Sequence, residues 1–212
     1  MTSKKFNLSL DHKIPDFKKV IQVDSDKSIS IRSFLMGAIS QNISSVHNTL
    51  EPQDVISTIR CLKKLGVKII KIKAKNYIIY GKGLGSLKVK KNSFLNFGNS
   101  GTLARLLIGI LSTTPNLIVR MGGDKSLNKR NMKKLITLMI EFGAFFFPKN
   151  KFTFPLKMIS SNMPIGINYK AGVSAQLKSA VILAGLNSHG NTNIIEEIIS
   201  LSPVVPFVNL PP

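Results

Sequence analysis

The chain of 212 residues has no tryptophan, one cysteine, and only ten carboxylates against thirty lysines and arginines. A lone cysteine, Cys61, excludes an internal disulfide and fits a reducing compartment; its place inside a helical pattern marks it as a buried structural thiol. No apolar run is long enough to span a bilayer, the longest lying around Ser179 to Leu186. The opening M-T-S-K-K-F-N-L-S-L has no signal-peptide core, so a cytoplasmic protein without a membrane partner is expected. His12, His47 and His189 show no metal-ligand spacing and no second cysteine joins them, so neither a metal nor an organic cofactor is expected. Asp124 and Glu141 are too far apart to read as a catalytic pair.

The shortage of acid leaves a formal charge of +20. Such a balance suits a polyanion, yet only five of the thirty cations are arginines, and the lysines are scattered through every segment. That spread is a bias of the whole sequence more than a targeted patch, and basic residues are not interleaved with aromatics in the stacking manner. A basic, noncatalytic nucleic-acid-binding protein remains the alternative reading, with nucleic acid disfavoured as a partner.

With 43% hydrophobic residues the chain has material for a real core. Its order is repetitive. Arg32, Arg105 and Lys178 stand at equal intervals of 73 residues, each inside an apolar helical run that opens on small polar residues: D-K-S-I-S-I-R, N-S-G-T-L-A-R and G-V-S-A-Q-L-K. A helix start has unpaired N–H groups and a positive dipole end, and a cation one and a half turns in adds to its hold on anions. The first unit reads as a helix over 27–40, a strand over 44–48, a helix over 52–65 closed by Gly66, and a hairpin of V-K-I-I-K-I-K and Y-I-I-Y. After the linker 81–86 the order returns: helix 101–111, strand 116–121, helix 128–142 with Gly143 as its stop, and strands A-F-F-F and K-F-T-F. A third unit has strand I-N-Y-K, helix 174–186 and strand 191–195. Beyond Glu197 four prolines forbid the next helix, so about 2.6 units are expected.

Four motifs then agree in order and spacing: D-K-S-I-S-I-R, F-G-N-S-G-T, G-D-K-S-L-N-K-R-N-M and S-A-Q-L-K-S-A-V-I-L-A-G-L. Together, from about residue 24 to 199, they resemble the 5-enolpyruvylshikimate-3-phosphate synthase family. The resemblance implies an α/β fold of repeated helix-strand-helix-hairpin units, the inside-out α/β barrel of enolpyruvyl transferases. It implies transfer of the enolpyruvyl group of phosphoenolpyruvate to the 5-hydroxyl of shikimate 3-phosphate, with release of phosphate, on the shikimate route to aromatic amino acids. Lys27 would touch both substrates. Ser28, Arg32, Ser174, Ala175 and Gln176 would hold shikimate 3-phosphate, with Gln176 reaching both ligands. Asn99, Gly101, Thr102 and Arg130 would receive phosphoenolpyruvate, Arg130 through the bidentate fork of its guanidinium.

The same resemblance assigns residues 1–23 to a second domain, 24–199 to an incomplete first domain and 200–212 to an aberrant proline-rich tail. No catalytic acid or base is expected in this chain, because the family's proton-transfer groups belong to the second half. A truncated chain that binds anionic substrate weakly without turnover is therefore expected, a separately encoded second half being one possible partner. Departures from the family pattern are Asp24 and Ser25 in place of Pro-Gly, Ile31 before Arg32, and Asn131 in place of a usual proline.

Overall fold

The computed structural model describes residues 20–22, 26–90 and 93–196. The proline-rich tail and nearly all of the segment 1–23 lie outside the described residues.

The repeat is present, with one strand more in each of the first two units than the sequence pattern suggested. The first unit runs β1 (Val20–Gln22), α1 (Lys27–Ile39), β2 (Ile43–His47), α2 (Gln53–Lys64), β3 (Lys68–Lys73) and β4 (Asn76–Tyr80). The second runs β5 (Phe94–Asn96), α3 (Gly101–Ser112), β6 (Ile118–Gly122), α4 (Lys125–Lys129), α5 (Lys133–Glu141), β7 (Phe145–Phe147) and β8 (Leu156–Ile159). The third has β9 (Asn168–Ala171), α6 (Ala175–Gly185) and β10 (Asn193–Glu196). Sheet orders β1-β2-β4-β3 and β5-β6-β8-β7 are the same arrangement twice, and β9 pairs β10 in parallel as β1 pairs β2 and β5 pairs β6. Val20–Gln22, expected to belong to another domain, thus pair with β2 of the first unit. Three-residue strands such as V-I-Q and F-L-N are too short to show a period of two, which is why β1 and β5 went unread.

Two expectations of secondary structure are corrected. The helix expected over 128–142 is broken: α4 ends at Lys129, Arg130 is extended (φ −71°, ψ 133°), and α5 begins at Lys133. The Met132 N–H donates to Phe152 O at 2.8 Å, a tertiary bond that no local pattern announces. That bond also explains the second correction, since K-F-T-F is a strap beside α5 and not a strand. Phe154 turns inward to meet Phe97 edge-on at 5.7 Å, and the ladder is taken up by Leu156–Ile159, after Pro155, which has no N–H to donate.

Helices α1, α3 and α6 are inside and the sheets outside. Nearly every residue of α3 is buried, as a helix apolar on all sides requires. Gly109 lets α6 approach closely, for a Cβ there would lie 2.5 Å from Ala180 O. Helices α2 and α5 keep a polar face towards water. Among the described residues no helix is long and apolar enough to cross a membrane.

Candidate functional site

Each central helix begins with a side-chain cap. Asp26 Oδ1 accepts from Ile29 N at 2.7 Å, Ser100 Oγ from Leu103 N at 3.2 Å, and Ser174 Oγ from Leu177 N at 3.4 Å. A cap satisfies one donor and leaves others of the first turn for a ligand. The three starts converge: Lys27 of α1, Asn99, Gly101, Thr102 and Arg105 at the head of α3, and Gln176 of α6 line one cavity of about 280 Å³ with Asp54 and Arg130.

The cavity is wired across units. Gln176 Nε2 donates to Thr102 Oγ1 at 2.9 Å, and Arg105 Nη1 donates both to Gln176 Oε1 at 2.9 Å and to Gly101 O at 3.1 Å. Arg130 Nη2 donates to Asn99 Oδ1 at 2.6 Å, and Lys27 Nζ lies 3.1 Å from Asp54 Oδ2. The extended backbone at residue 130, the break between α4 and α5, is what turns this guanidinium back over the start of α3. Arg105 feels the crowding: burial lowers its pKa, and the charge of Arg130 lowers it further. A negative charge placed between the two guanidiniums would offset both effects by favouring their charged forms.

Of the residues expected at a site, Lys27, Asn99, Gly101, Thr102, Arg130 and Gln176 meet in this cavity. Ser28, Arg32, Ser174 and Ala175 do not line it. Arg32 is 3% exposed, its Nη1 donates to Ser28 O at 3.2 Å, and its Nε meets no acceptor among the described residues. Burial lowers the Arg32 pKa, with Asp26 acting in the opposite direction. Lys178, third in the 73-residue series, bonds to Glu196. Asp124 is the N-cap of α4, its Oδ1 accepting from Leu127 N at 2.7 Å and its own N–H donating to Gly98 O at 2.9 Å.

Two lining residues were missed. Arg105 carries a sequence signal, as the middle member of the cation series, but none of the family-motif roles falls on it. Asp54 lies in the first turn of α2, where an acid is ordinary helix chemistry and carries no further signal.

A family model described as EPSP synthase (3-phosphoshikimate 1-carboxyvinyltransferase) matches residues 12–207. The 3-phosphoshikimate 1-carboxyvinyltransferase of Vesicomyosocius okutanii subsp. Calyptogena okutanii (strain HA) is 40% identical over 181 residues, covering 85% of this chain and 41% of that protein. That of Bacillus subtilis (strain 168) is 40% identical over 179 residues, covering 83% and 41%. The solved EPSP synthase from Acinetobacter baumannii superposes with a TM-score of 0.77 at 36% identity, covering 87% of this chain and 42% of that one. The chain thus spans about two fifths of the length of these relatives.

Proposed function

Because the chain belongs to the EPSP synthase family, we propose that its cavity binds the phosphate and carboxylate groups of phosphoenolpyruvate and shikimate 3-phosphate for enolpyruvyl transfer. The observation that carries this reading is the convergence of Lys27, Arg105 and Arg130 on one cavity at the start of α3, where Gly101, having no side chain, leaves room for the Arg105 and Arg130 guanidiniums to come together. Arg130 and Arg105 present forks suited to planar or tetrahedral oxyanions. Asn99, Thr102 and Gln176 add neutral donors. Ser28, Arg32, Ser174 and Ala175 flank the same helix starts and are assigned to shikimate 3-phosphate. A concave site of this size suits small, doubly acidic metabolites better than the extended backbone of a nucleic acid.

The reaction adds the 5-hydroxyl oxygen to C2 of phosphoenolpyruvate and then expels phosphate. The first step takes the proton from the 5-hydroxyl and delivers one to C3 as the C2=C3 double bond opens; the second withdraws a proton from C3 as the C2–O bond to phosphate breaks and the double bond re-forms. We assign those transfers to groups in the part of the relatives that this chain does not span. A second-half polypeptide is the partner that would bring them to this cavity.

The test is a phosphate-release assay with both substrates. The 212-residue chain alone is expected to release none, and addition of the remaining portion of a relative is expected to restore release. Calorimetry with phosphoenolpyruvate should show Arg130→Ala binding at least about tenfold more weakly, as the loss of a charge-assisted hydrogen bond requires. Turnover by the chain alone would refute the assignment of the proton transfers elsewhere, and unchanged binding by the variant would refute the role of Arg130.

A further inference from the structure

Among the described residues lining the cavity, Asp54 is the sole carboxylate. The three cations around it are held in unequal ways. Arg130 is anchored by the amide oxygen of Asn99, and Arg105 by Gln176 Oε1 and Gly101 O. These acceptors are neutral and leave both guanidinium charges uncompensated. Lys27 Nζ, by contrast, lies 3.1 Å from the Asp54 carboxylate, which cancels its charge at short range.

Asp54 has a place of its own in the fold, apart from its contact with Lys27. It occupies the first turn of α2, whose N-cap, Pro52, makes no side-chain capping bond, and a negative charge there is favoured by the helix dipole. Its side chain is 20% exposed and that of Lys27 is 47% exposed. A site assembled only to attract anions gains nothing from such a residue, because a like charge within reach of the ligand opposes binding.

We propose that Asp54 is the resident counter-ion of this cavity. It keeps Lys27 neutralised while the cavity is empty, and it prevents small anions, including the phosphate released by the proposed transfer, from being held too tightly. This rests on the reading of the cavity as an anion site. Lys27, on this account, contributes to binding in large part by masking Asp54.

The inference predicts a non-additive pair of substitutions, read by calorimetric titration of the 212-residue chain with inorganic phosphate. Asp54→Asn is expected to tighten phosphate binding about tenfold, equivalent to about 1.4 kcal/mol. Lys27→Ala, which bares the carboxylate, should weaken binding at least tenfold, and the double variant should recover that loss. A purely structural role for Asp54 at the start of α2 would weaken binding in both backgrounds. Thermal denaturation checks folding, and Asp54→Ser, which keeps a polar oxygen at the helix start, replaces the Asn variant if that one does not fold. A double variant that binds no better than Lys27→Ala, or an Asp54 variant no tighter than the unsubstituted chain, overturns the inference and leaves the anion-site reading standing. Absence of phosphate binding by the unsubstituted chain overturns both.

Discussion

A Cβ at position 101 would lie 2.8 Å from Arg105 Nη1 and 2.9 Å from Arg130 Nη1. Neither distance is tolerable for a methyl group, and both neighbours are the ends of flexible side chains, so Gly101→Ala should fold while pushing the two guanidiniums out of place. Arg105 would then strain its bonds to Gly101 O and Gln176 Oε1, and Arg130 its bond to Asn99. The expected result is a melting temperature within a few degrees of the unsubstituted chain and phosphoenolpyruvate binding weakened about tenfold or more, since each charge-assisted hydrogen bond contributes on the order of 1.5–3 kcal/mol. Calorimetry beside a thermal melt separates the two effects. The 73-residue series shows how far residue spacing can be trusted. It located three equivalent helix positions correctly, but position does not dictate use: Arg105 reaches the cavity, Arg32 folds back on Ser28 O in the core, and Lys178 is taken by Glu196. Which fate a cation meets depends on neighbours from other units, and no local pattern contains them.

Between elements, the same distinction separates what was legible from what was not. Helices α1, α2, α3 and α6 and the hairpin β3–β4 follow from apolar spacing and from Gly66, whose φ of 85° ends α2. The break after Lys129 and the strap at Phe152 are fixed by contacts distant in sequence and were misread for that reason. A tie of this distant kind also links the turn before α2 to the first hairpin. The Tyr77 hydroxyl donates to Glu51 Oε1 and Lys71 Nζ donates to Glu51 Oε2 at 2.9 Å, Lys71 and Tyr77 facing each other across β3 and β4. The bond from Lys71, then that from Tyr77, holds the Glu51 carboxyl below its ordinary value of about 4.5. A carboxylate with a folded-state pKa below its unfolded-state value favours the folded state above that ordinary value, and the contribution disappears as pH falls through the lowered one. Glu51→Gln should therefore lower the melting temperature near neutral pH, with a cost of about 1 kcal/mol. The gap between the two proteins should narrow as pH is taken below about 4.5. A gap independent of pH would assign the cost to packing and not to charge.

For the molecule as a whole, a helical interior clad in sheets sets where protection is strong and where it is weak. Strands β2 and β6 are flanked on both sides, β2 by β1 and β4, β6 by β5 and β8. In the third unit, among the described residues, β9 and β10 have only one another. Both are therefore edge strands, and an edge leaves every second backbone group without a ladder partner. Large apolar side chains are also exposed around this unit, with Ile165 at 63% and Val173 at 77%. The buried stem of α6 does not share that weakness, because it packs along α3 through the close approach at Gly109 and along α5. Hydrogen exchange should thus divide the third unit within itself. The α6 amides should be protected nearly as well as those of α3, while the amides of β9 and β10 should exchange before those of β2 and β6, by local opening that leaves the helical interior intact. If a second-half polypeptide docks against this unit, the exchange of β9 and β10 should slow on its addition and that of β2 and β6 should not change. Equal protection of all four strands in the isolated chain would show that the third sheet is already closed.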